Sequence, residues 1–126
     1  EESGAFRKVQ VFIRGADHVP PGPEDVEGQF RGLMFWYRGN KKKYHPVIVA
    51  AHMHTAFERI HPFVDYNGRV GRLLLNFILM KHGFPPIAIA YHRRGEYYGA
   101  IEAAIKGNLK PFVRLICKYL RETKLA

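Results

Sequence analysis

Between His61 and Arg72 the chain reads HPFVDYNGRVGR, and the apolar run Leu73-Leu74-Leu75 follows at once. This junction constrains the fold more than any other stretch. His61 precedes a proline, and Asp65-Tyr66-Asn67-Gly68 is a turn-forming run, so the segment reads as a loop. Arg69, Arg72 and the leucines then open a helix. The first N–H groups of a helix lack intrahelical partners and its dipole is positive there, so such a junction binds anions. An imidazole, a carboxylate and two guanidiniums beside an anion cradle point to phosphoryl or nucleotidyl transfer.

The flanking sequence reads as a scaffold for that loop. Lys8 to Arg14 alternates apolar and polar residues and predicts a short strand, with Gly15-Ala16-Asp17 as a turn and His18-Val19 as the returning limb. The result is a β-hairpin flap, with an edge free to pair with a peptide or merely packed against the body. Glu24 to Tyr37 predicts a helix with Val26, Phe30, Leu33, Met34 and Tyr37 on one face and acids in the first turn. A second helix opens at Pro46 and runs to Ile60, its inner face formed by Val47, Ala50, Ala51, His54, Phe57 and Ile60. His52 and His54 lie two apart on different faces, which argues against a shared metal ion. His54 reads as a buried, hydrogen-bonded histidine, with a ligand role as the alternative.

The third helix, from Gly68 to His82 with Gly83 as its stop, is apolar on most sides and is expected at the centre of the bundle. Asn76 within it either faces the site or is a buried amide. After Pro85-Pro86, helices are predicted over Glu96 to Lys106 and from Asn108 onward, where Asn108 is a cap. The fold class is therefore all-α, a helical bundle around a central helix with an N-terminal hairpin.

Length and composition fit this reading. The chain has 126 residues, expected to form one domain, 47% of them hydrophobic, enough for a packed core. It starts at Glu1-Glu2 rather than Met, which suggests a piece of a longer protein. Twenty Lys and Arg face eleven Asp and Glu, giving +9 and favouring an anionic partner such as a nucleotide. A nucleic-acid partner rests on charge alone, since no recognition motif supports it. Cys117 is the only cysteine, so a reducing, cytoplasmic setting is expected. No apolar run is long enough to cross a membrane.

At residues 61–72 the chain resembles the Fic domain family, whose motif is HPFx(D/E)GNGRxxR. Every fixed position matches except Tyr66, where the family has glycine. The similarity extends to the hairpin, to His45-Pro46, to Arg72-Leu73-Leu74-Leu75-Asn76 and to Tyr97-Tyr98. Many members transfer AMP from ATP to a hydroxyl side chain of a target protein. The resemblance implies that His61 deprotonates the target Ser, Thr or Tyr and that Asp65 binds Mg²⁺. Asn67 and Gly68 would line the anion hole, where the successive N–H groups of Tyr66, Asn67 and Gly68 read as a nest for an oxyanion, and Arg69 and Arg72 would hold the triphosphate. Asn76, Tyr97 and Tyr98 are the expected border of the base pocket. Val11, Phe12, Ile13, His18 and Val19 would form the flap that aligns the target, and a homodimer is open. The (S/T)xxxE(G/N) pattern of an inhibitory helix, whose glutamate pairs with the second motif arginine, does not occur in this chain. If the Tyr66 position requires positive φ, tyrosine is strained there, which leaves a nucleotide-binding module with altered activity as the alternative.

Overall fold

The computed structural model describes residues 4–125; Glu1 and Glu2 lie outside the described residues. Five α-helices follow one another: α1 (Pro23–Asn40), α2 (Pro46–Ile60), α3 (Asn67–Lys81), α4 (Arg94–Ile105) and α5 (Lys110–Leu125), with a short 3-10 turn at Tyr91–Arg93 before α4. Among the described residues no helix is long and apolar enough to cross a membrane.

The bundle is organised around α2, not α3 as the sequence suggested. Helix α2 packs against α1, α3, α4 and α5. Val49, Ala50, Ala51, Met53 and His54 are fully buried, so this helix is enclosed on nearly every side. Helix α3 buries Leu75, Ile78 and Leu79 but leaves Leu73 70%, Phe77 60% and Met80 55% exposed. Hydrophobicity implies burial only in one direction, because folded surfaces retain many apolar side chains. Helix α2 starts where the sequence placed it: Pro46 is its first residue, and His45 Nδ1 accepts from the Val47 N–H at 3.1 Å. Gly83 stops α3 at φ 86°, with the Phe84 N–H reaching the Leu79 carbonyl at 3.0 Å, an arrangement that glycine makes without strain.

The N-terminal hairpin is not formed. Residues 8–20 contain no strand. The stretch is a loop that turns at Gly15, φ 81°, where the Ala16 N–H meets the Ile13 carbonyl at 3.1 Å. Its limbs are joined by side chains: Gln10 Nε2 donates to the Pro20 carbonyl at 3.0 Å, and Arg7 donates to Val9 and Pro21. The physical reason lies just past the two-residue returning limb, where Pro20 and Pro21 have no N–H with which to extend a ladder. Two contacts hold the loop against α4: His18 Nδ1 to Glu102 Oε2 at 2.7 Å and Lys106 Nζ to Asp17 Oδ2 at 3.0 Å.

Candidate active site

His61 ends α2 in the left-handed region, φ 51° and ψ 61°, with its N–H on the Phe57 carbonyl at 2.9 Å. The following proline disfavours continued right-handed helix. A non-glycine residue at positive φ stores backbone strain, and such residues cluster at functional sites. Arg7 holds the turn: its Nε donates to the His61 carbonyl at 2.6 Å and its Nη2 to the Ile60 carbonyl at 3.1 Å. The His61 ring is half-buried, and its Nδ1 is buried without a hydrogen bond of ordinary geometry. Burial lowers its pKa. The Glu58 backbone carbonyl opposes that shift, while the charges of Arg7 and His18 add to it. At neutral pH the ring is therefore largely the free base.

The loop from Pro62 to Tyr66 is braced by Asn67. Its buried amide accepts from the Phe63 N–H at 2.9 Å and donates to the Phe63 carbonyl at 2.8 Å. This side chain shapes the loop rather than facing a ligand. Tyr66 sits at φ 68°, the strained conformation that the sequence raised. Its ring is 66% exposed and lies against the Arg69 guanidinium, 5.1 Å from ring centre to Cζ.

A cavity of about 420 Å³ opens between α2, α3, α4 and the 11–19 loop. His61, Gly68 and Arg72 line it from the motif, Tyr97 and Tyr98 from α4, and Ile13 and His18 from the loop. A second cavity of about 260 Å³ shares Arg72, Tyr97 and Tyr98 with the first and adds Tyr91 and Arg94. A side chain on Gly68 would bring its Cβ within 2.9 Å of Arg72 Nη1, so glycine there lets the guanidinium fold over the helix start. Of the other expected residues, Asp65, Tyr66, Asn67 and Arg69 do not line the main cavity, nor do Val11, Phe12 and Val19. Asn76, expected at the base pocket, lines neither of these cavities. Its amide donates to the Ile87 carbonyl at 2.9 Å and accepts from the Ile87 N–H at 2.8 Å, anchoring the segment after Pro86.

Behind the cavity a buried network joins three helices. His54 Nδ1 lies 2.7 Å from the Gly71 carbonyl and Nε2 lies 2.6 Å from the Tyr97 hydroxyl. A carbonyl only accepts, so Nδ1 carries the proton and Nε2 accepts from Tyr97. Burial pushes His54 down to about 4, which keeps it neutral, and burial likewise raises the Tyr97 phenol. The sequence reading of His54 as a buried, hydrogen-bonded residue is borne out.

The sequence reading missed Glu58. It lines the cavity beside His61 and Arg72, and its Oε2 is buried without a hydrogen-bond partner. A Cβ on Gly71 would come within 2.1 Å of that oxygen, so the glycine makes room for the carboxyl. Burial raises the carboxyl to about 7, against the opposing charge of Arg72. Helical periodicity gives no signal for it, because a glutamate in the last turn of a helix normally reads as solvated surface.

The profile of the Fic/DOC family matches residues 1–79. The chain belongs to the Fic/DOC family. It is 42% identical over 123 residues to protein adenylyltransferase Fic of Nematostella vectensis, covering 97% of this chain and 28% of that protein. Its identity to the protein of the same name in Drosophila grimshawi is 41%, covering 97% and 25%. The chain thus spans about a quarter of the length of the curated relatives it matches. Among solved structures, a Fic family protein from Desulfovibrio desulfuricans G20 superposes with TM-score 0.83 at 30% identity, covering 97% of this chain and 40% of that one. Fic-1 from C. elegans gives 0.79 at 36%, covering 97% and 35%. BepC from Bartonella tribocorum, solved with bound AMPPNP, gives 0.72 at 20% and shows likeness of fold. In this Fic domain the motif residues that reach the cavity are His61, Gly68 and Arg72.

Proposed function

We propose that residues 1–126 act as one catalytic domain that transfers AMP from ATP to a Ser, Thr or Tyr hydroxyl of a target protein. The convergence of His61, Gly68 and Arg72 on one cavity carries this reading. Relatives named protein adenylyltransferase support it.

The buried Nδ1 of His61 leaves Nε2 for the cavity. As free base, it takes the proton of the target hydroxyl. The hydroxyl oxygen then bonds to the α-phosphorus, the bond to the β-phosphate oxygen breaks, and pyrophosphate leaves. Arg72 and the N–H groups at the start of α3 neutralise the phosphates. Among the described residues no group of three metal-ligating side chains exists. Asp65 is an exposed carboxylate on the loop, which fits Mg²⁺ held by one carboxylate together with phosphate oxygens. Bound there, Mg²⁺ would add positive charge toward the phosphates. The loop carrying Val11, Phe12, Ile13, His18 and Val19 receives the target segment. Phe12 is 75% exposed and Val19 64%, so both offer side-chain contacts without a preformed strand. Tyr98, half-exposed at both cavities, is the base-stacking candidate.

The test is incubation with ATP and Mg²⁺ labelled in turn at the α- and γ-phosphate. Label from the α-phosphate alone, appearing on this protein or on a target, is the expected result. Label from the γ-phosphate alone means kinase chemistry and sinks the reading.

A second reading, a nucleotide-binding module with weakened turnover, draws on Tyr66. Its ring lies against the Arg69 guanidinium, and Arg69 does not line the cavity. Tyr66→Gly removes about 1–2 kcal/mol of left-handed strain. It also gives up about 0.5–1 kcal/mol of stacking and costs about as much in chain entropy. Stability therefore changes little in thermal unfolding. If Arg69 then reaches phosphate, one charge-assisted bond of about 1.5 kcal/mol raises the transfer rate about tenfold. An unchanged rate would mean that Arg69 has no part in transfer.

A further inference from the structure

Glu58 places a carboxyl where a nucleotide reading calls for phosphate. Glu58 lines the cavity with Arg72, Gly68 and His61, and its Oε2 is buried and unpartnered at the cavity wall, packed toward Gly71. No ion pair joins it to another described residue. The α2–α3 contact keeps it there, since Gly71 leaves no Cβ to displace it. An ionised carboxylate in that position repels phosphate oxygens, whereas a neutral carboxylic acid donates to them. We propose that Glu58 enters the nucleotide complex as a neutral carboxylic acid that hydrogen-bonds a phosphate oxygen, so that binding takes up one proton from solvent. This rests on the nucleotide reading and adds a binding residue to it.

The groups around Glu58 leave it as the one poised to change charge. Arg72 on α3 and Arg14 on the 11–19 loop line the same cavity and bring it positive charge. His54, bonded on both ring nitrogens, is held neutral, and so is the buried Tyr97 phenol. His18 is tied to Glu102 across the cavity mouth. Burial already brings the Glu58 carboxyl to about 7 while Arg72 pulls it down. Phosphates that occupy Arg72 remove that pull and add negative charge, and both effects favour the proton. His61 sits beside the same phosphates and also gains basicity on binding, so the test must separate the two.

Comparison of wild type with Glu58→Gln does so, because His61 and the ligand's own protonation are common to both proteins. The variant keeps the shape and a donor but has no charge to titrate. The probe is the β,γ-imido analogue of ATP with Mg²⁺, measured calorimetrically in buffers of different ionisation enthalpy. Wild type is expected to take up more protons than the variant near pH 8, the difference approaching one. Its affinity should fall about tenfold from pH 7 to 8.5, against less than about twofold for Glu58→Gln. At pH 8.5 the variant binds more tightly than wild type. Equal proton uptake by the two proteins overturns the proposal and leaves nucleotide binding standing. So does an affinity gain in Glu58→Gln of the same size at pH 6 and 8.5, which would mean a fixed electrostatic block. Absence of binding at any pH removes the nucleotide reading together with this one. The fold of Glu58→Gln is checked by thermal unfolding.

Discussion

His61→Ala is expected to lower α-label transfer about 10²- to 10⁴-fold, the usual contribution of a positioned general base. Nucleotide affinity should stay within about threefold of wild type, since the substitution leaves the groups assigned to phosphate, Glu58, Arg72 and the first N–H groups of α3, in place. Measuring both on one preparation separates loss of chemistry from loss of fold. Transfer within a few-fold of wild type would remove His61 from the base role. The pH profile gives an independent check. The free imidazole is the active form, and burial with the charges of Arg7 and His18 lowers its pKa. Activity therefore falls as pH drops through a midpoint below the usual histidine value of about 6.5. That acid limb should appear in kcat/KM, which reports the free enzyme, and loss of affinity through Glu58 should appear in the same profile at alkaline pH.

The loop-to-helix junction was legible because its residue types serve one chemistry, and their order fixes where a helix begins. Helix boundaries were legible for local reasons: Pro46 starts α2 and Gly83 stops α3. What failed depends on partners distant in sequence. The strand over 8–14 has the right alternation, but Pro20 and Pro21, just past its two-residue partner limb, have no N–H with which to extend a ladder. The central place was assigned to α3 by its leucines, yet burial is decided by neighbours, and α2 alone meets four helices. Asn76 looked free for a ligand, but both ends of its amide belong to Ile87. Glu58 carried no pattern because its meaning comes from Gly71 and Arg72 on another helix. Arg69 was expected beside Arg72 at the phosphates, and its guanidinium lies instead against the Tyr66 ring.

Arg7→Met is expected to cause the largest loss of stability. Arg7 is 2% exposed and donates four side-chain hydrogen bonds, to the carbonyls of Val9, Pro21, Ile60 and His61. Its own N–H donates to the Pro62 carbonyl at 2.9 Å. Two of the side-chain acceptors close α2, where unpaired carbonyls and the negative end of the dipole favour a cation. Methionine matches the length and apolar stem but donates nothing, which leaves these carbonyls to find water in a buried position. Losing such a buried charged hub costs about 3–5 kcal/mol, or roughly 10 °C or more in Tm for a chain of this size. Lysine keeps the charge but not the planar fork, so Arg7→Lys falls between the two. The same substitution has a signature at the site. Removing the Arg7 charge relieves one of the effects that depress His61, so the acid limb of kcat/KM moves to higher pH in whatever fraction stays folded. A Tm within about 2 °C of wild type, with an unmoved acid limb, would show that the turn at His61 holds without this clamp.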